Sequence, residues 1–145
     1  MIDFFTEAQG NQIVKAIQRA EMTSSGEVRV HLEDNCKGKV LEEAKKTFHK
    51  LQMHKTERRN GVIIFLAPER KEFAIYGDEG INKVVPENYW QDVRDVLQRN
   101  FRKGDFAQGV VEAVDLVGEK LRTYFPGVKD DINELPDDIS YGGRA

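Results

Sequence analysis

Asp78 and Glu79 sit side by side between Gly77 and Gly80, at the close of a short run of alternating apolar residues. Two adjacent carboxylates at a strand end, with flexible backbone on both sides, can turn toward one hard cation. Two other groups could share that chemistry. "RKGD", Arg102 to Asp105, puts a carboxylate beside a glycine at the start of a helix, and "TERRNG", Thr56 to Gly61, supplies Arg58, Arg59 and the amide of Asn60. Asp78, Glu79 and Asp105 are thus the candidate metal ligands, and Arg58, Arg59 and Asn60 the candidate phosphate or groove contacts. Each also has a plain structural reading, as a solvated turn, a helix cap or a solubilised loop. With no twelve-residue EF-hand loop present, such a site would be discontinuous, and Ca2+ is expected ahead of Mg2+.

Other engines of catalysis are missing from the sequence. It holds no P-loop, no G-x-S-x-G elbow and no H-E-x-x-H, and "GDEG" is too short for a dinucleotide fingerprint. Cys36 stands alone without the arginine of a C-x5-R phosphate cradle, and no internal disulfide can form. His31 falls on the polar face of a strand, and the five-residue spacing of His49 and His54 does not place them on one helical face. All three read as exposed or packing histidines.

The elements that must position these residues follow from periodicity. Thr6-x-x-Gln9 reads as a capping box opening a helix from Glu7 to about Met22, with Ile13, Ile17 and Ala20 at helical spacing. "EVRVHL", Glu27 to Leu32, alternates like a strand with one buried face. Leu41, Ala44, Phe48 and Leu51 trace a second helix, and "GVIIFLAP", Gly61 to Pro68, suits a central strand buried on both faces. "PERK" reads as a turn into a third strand, "EFAIYG". Helical steps then run from Asn88 to Phe101, and Asp105 caps a last helix that ends at Phe125-Pro126.

Helix, strand, helix, strand, strand, helix, helix is the order of a layered α/β domain. The first two strands make a right-handed parallel crossover and the turn at Pro68 an antiparallel hairpin. The end of strand three, with Asp78 and Glu79, therefore lies beside the start of strand two, with Arg59 and Asn60. Glu33 and Asp34 fall at the opposite edge.

A chain of 145 residues is one domain's length and buries roughly 70% of its unfolded surface. Residues 1–125 form the α/β body, in which 20 acids balance 20 bases. Residues 126–145 form a tail with five acids against two bases, in which Ile132, Leu135, Ile139 and Tyr141 could pack on the body. No basic face suits nucleic acid, and no apolar run approaches the ~20 residues of a membrane span. The expected protein is a cytoplasmic monomer.

At "SSGEVRV", "RRNGVIIFLAPERKEFAIYGDEGI" and "FRKGDFAQGVVEAV" the chain resembles the TPM domain family, over about residues 6 to 125. The resemblance rests chiefly on Asn60-Gly61, the Gly77-x-x-Gly80 turn, and Gly104-Asp105-Phe106 with Gly109. It implies a three-layer α/β/α sandwich around a small mixed sheet. For some members it implies divalent-cation binding at acidic loops and acid-phosphatase activity, and for others an accessory or assembly role. The signal and C-terminal anchor of many members are lacking here, and Asp78-Glu79 replaces the usual aromatic between the turn glycines, so the chain resembles the small soluble bacterial members. Two readings stay open. In the favoured one a cation, Ca2+ ahead of Mg2+, orders the acidic loops of an interaction module whose groove or acidic tail meets a protein partner. In the alternative the cation activates water for phosphomonoester hydrolysis, with Arg58 or Arg59 steadying phosphate oxygens.

Overall fold

The computed structural model describes residues 4–127 and 139–142. Helix α1 spans Glu7–Met22, and its capping box forms as the spacing requires: Gln9 N–H donates to Thr6 Oγ1 at 3.1 Å and Thr6 N–H to Gln9 Oε1 at 3.0 Å. Strand β1 (Glu27–Glu33) leads through α2 (Val40–Lys50) to β2 (Gly61–Ala67), which turns at Pro68–Arg70 into β3 (Glu72–Gly77). One helical turn, α3 (Glu79–Asn82), precedes the long helices α4 (Gln91–Arg102) and α5 (Phe106–Tyr124).

The sheet has the order β3-β2-β1-β4, because Ile139–Gly142 adds a fourth strand, β4, parallel to β1. Ile139 is buried there, while Tyr141 is exposed. Ile132 and Leu135 lie outside the described residues. β1 and β2 are parallel and β2 and β3 antiparallel, the arrangement expected from the crossover and the tight turn. Flanked on both sides, β1 is buried on both faces, not on one. The alternation in "EVRVHL" reflects which layer each side chain meets, not exposure of one face to water.

Each face of the sheet has its own core. Val28, Val30, Leu32, Ile64 and Leu66 point toward α1, α4 and α5, and Ile63, Phe65 and Ala74 toward α2 with its Ala44 and Phe48. Helices thus cover both faces of a mixed sheet, an α/β/α sandwich. This layering leaves the two ends of the sheet as the places where loops converge.

Candidate functional site

At one end, β2 begins where β3 stops, since Val62 pairs with Gly77. This brings "RRN" against "DEG", as the topology demanded. Asp78 N–H donates to the Gly61 carbonyl at 3.0 Å and Gly80 N–H to the Arg59 carbonyl at 2.9 Å. Arg59 adopts a left-handed backbone, φ 51°, to make that approach. Gly80 is required by it: a Cβ there would collide with the Arg58 carbonyl oxygen and stand 2.6 Å from that of Arg59.

The carboxylates are held by the neighbouring guanidinium. Arg59 donates from Nε to Asp78 Oδ2 at 2.7 Å, from Nη2 to Asp78 Oδ1 at 2.8 Å, and from Nη1 to Glu79 Oε1 at 2.8 Å. Such a bidentate fork is among the stronger ion-pair geometries, and the hydrogen bond to Asp78 pushes the Arg59 pKa up. Asp78 is 1% exposed, and its Oδ1 also accepts the Glu79 N–H as N-cap of α3. Asn60 is buried, taking Thr56 Oγ1 on its N–H and donating Nδ2 to Ser25 Oγ at 3.2 Å. Arg58 is exposed.

Asp105 is not part of this group. α4 starts with Trp90 against Gly77 and runs back along β3, so that Phe101 meets Phe73 at 5.6 Å between ring centroids and Phe106 at 5.1 Å. Asp105 therefore lies at the Phe73 end of β3, four residues or about 13 Å along the strand from Gly77. One cation holds its oxygens within about 5 Å of each other, so Asp78, Glu79 and Asp105 do not fit a shared ion. Among the described residues no group of three or more His, Cys, Asp or Glu stands in metal-binding array. Asp105 occupies the N-cap position of α5, but its side chain makes no capping bond. Gly104, with φ 81°, makes the sharp connection from α4.

The Phe73 end carries a surface that the site motifs did not announce. Two open hollows of about 480 and 630 Å³ share Lys71, Phe73 and Gln98. The first reaches Lys39 and Val40 at the start of α2, and the second Phe101, Arg102, Lys103 and Phe106. Arg70 is engaged, by Glu72 at 2.6 Å and by the carbonyls of Cys36 and Gly38. The Cys36 thiol beside it has its pKa pushed up by burial, which disfavours the nucleophilic thiolate. The hollows lie at the C-terminal ends of parallel β1 and β2, where open α/β sheets usually receive ligands. Their signal in the sequence was the turns "PERK", two residues before Phe73, and "RKGD", flanked by Phe101 and Phe106.

The histidines also find places that spacing alone did not give. His31 is buried between β1 and β4, with Nε2 2.9 Å from Glu33 Oε1 and Nδ1 2.8 Å from Ser140 Oγ, stacked on Phe65. A neutral ring satisfies both contacts, donating from Nε2 and accepting the hydroxyl at Nδ1. Burial lowers its pKa despite the opposing Glu33, with Arg29 and Lys50 adding to the effect. His49 and His54 meet at 4.8 Å between ring centroids, because α2 stops at Lys50 and the chain folds back.

Comparison with known proteins adds a family to this geometry. The BA42 protein of the psychrophilic bacterium Bizionia argentinensis is 45% identical over 98% of both chains, with a TM-score of 0.91. The N-terminal domain of a protein from P. gingivalis (18% identity, TM-score 0.66, 90% of this chain and 84% of that one) shares the fold. So does that of the cg2496 protein from Corynebacterium glutamicum (13% identity, TM-score 0.67, 92% and 84%). No curated protein matches the chain. The family model of the TPM domain matches residues 2–120, from before α1 into α5, and the chain belongs to that family.

Proposed function

We propose that this TPM domain is an interaction module that binds through the hollows at the Phe73 end of the sheet, and not a hydrolase built on its acidic turn. The observation that carries the reading is the Arg59 fork on Asp78 and Glu79. An acid whose two oxygens are both engaged by a guanidinium is committed to holding β2 and β3 together. It is poorly placed to take a proton from water. The same fork occupies Arg59, one of the two arginines that could steady a phosphate group, and leaves only the exposed Arg58 for that role. The opposite end instead offers an aromatic floor and exposed cations, the features of a recognition surface.

The test is a phosphomonoesterase assay of the full chain with p-nitrophenyl phosphate, run with added Ca2+, with added Mg2+, and with chelator. The expected rate equals the buffer blank in all three, and Asp105→Asn leaves it unchanged. Turnover that follows added metal and disappears in Asp105→Asn or Asp78→Asn, with the fold intact by circular dichroism, overturns the reading in favour of a phosphatase.

A further inference from the structure

We infer that the outer edge of β3 receives an extended acidic peptide segment of a partner protein, added to the sheet as a strand, with an apolar side chain seated among Phe73, Phe101 and Phe106. This rests on the interaction-module reading above and names the partner's chemistry. Four observations meet at this place. β3 is the last strand on its side of the sheet, with no strand paired on its outer side among the described residues. Such an edge directs a row of backbone N–H and C=O groups outward, a template for a further strand.

The two hollows adjoin that edge and join at Lys71, Phe73 and Gln98, one toward the start of α2 and one toward the α4–α5 connection. Together they make an open trough beside the start of β3, a shape that suits a passing chain better than an enclosed small molecule. Its floor is aromatic: Phe73, Phe101 and Phe106 form an edge-to-face series and are each only partly buried.

Charge decides what the chain must carry. Lys39, Lys71, Arg102 and Lys103 line the trough, are exposed, and form no ion pair among the described residues. Against them stand Glu72, already on Arg70, and Asp105. A body with equal numbers of acids and bases has thus gathered unneutralised cations around one trough floored by aromatic rings. An anionic occupant with apolar side chains matches both features, the charges steering and orienting it and the rings anchoring it. Nucleic acid is disfavoured by the overall charge of -3.

The experiment is an amide NMR titration of the full chain with pooled seven-residue peptides carrying Asp or Glu at alternate positions and Phe, Leu, Ile, Val or Tyr between them. Shifts centred on Lys71–Phe73 and Arg102–Phe106 are expected. The double variant Lys71→Glu/Lys103→Glu, two exposed positions, should weaken binding at least about tenfold. Peptides N-methylated at alternate residues should bind more weakly than their parents. The proposal is overturned by equal binding of peptides with Lys in place of the acids, or by shifts away from β3. It is overturned too if inorganic phosphate alone reproduces the shifts, or if the shifts appear on raising the protein concentration without peptide. These last two results leave the module reading standing with another occupant, a small anion or a second copy. Metal-dependent turnover in the phosphatase assay, without peptide binding, removes both.

Discussion

Gly80 and Arg59 show how closely two backbones approach at the acidic turn. The glycine N–H donates to a carbonyl of a residue in left-handed conformation, and the space a Cβ would need is taken by the Arg58 and Arg59 carbonyls. Backbone cannot step aside as a side chain can. Gly80→Ala is therefore expected to destabilise the fold by about 1–3 kcal/mol, the usual cost of forcing extra atoms into a packed site. Denaturant unfolding followed by far-UV circular dichroism measures it, and a loss within error of zero would show that the turn relaxes freely. The identity of this residue thus follows from packing against Arg58 and Arg59, whatever the neighbouring acids do.

Strand β4 is short, and besides its backbone pairing with β1 it is held through the side chain of His31. The imidazole links Ser140 on β4 to Glu33 at the end of β1, and burial holds its pKa below the ordinary 6.5. In the unfolded chain the ring takes up a proton near 6.5, whereas in the fold it does so only at lower pH. Between those two values the unfolded state binds more protons, so stability must fall as pH drops below 6.5 and level off beneath the folded pKa. Unfolding free energy measured from about pH 7.5 downward should show this loss, and His31→Gln should flatten that part of the profile. Identical slopes in both proteins would mean that other groups govern the acid limb.

At the level of the whole molecule, the two ends of the sheet act as separate surfaces. α4 runs antiparallel to β3 and carries the chain from Trp90 at Gly77 to Phe101 at Phe73, which sets Asp105 a strand length away from Asp78. Any cation that reaches one end should be indifferent to the other. In a titration with Ca2+ or Mg2+ followed by amide resonances, Asp105→Asn is expected to leave the response of Gly77–Gly80 unchanged. Loss of that response in the variant would show that the ends communicate through a shared ion or a coupled movement.

The layered α/β class was legible in the sequence because each element writes its environment locally. Thr6 and Gln9 cap α1 through bonds three residues apart, and the unbroken β-branched and aromatic run "GVIIFLA" suits a strand covered on both faces, as β2 is. The hairpin at Pro68 even predicted that Asp78 would lie beside Arg59, since a tight turn fixes which strand ends are neighbours. The sequence by itself also determined the family, through glycines and short motifs whose spacing survives as pattern. Only tertiary structure decided what the motifs do, because salt bridges, edges and grooves depend on contacts between residues distant in the chain. Asp78 and Glu79 look like free ligands until Arg59, 19 and 20 residues earlier, is found on their oxygens. Asp105 looks like their companion until the direction of α4 is known. The polar face assigned to His31 becomes an interior once β4 closes over it from 109 residues away, and the basic trough exists only where the β2–β3 turn meets the α4–α5 connection.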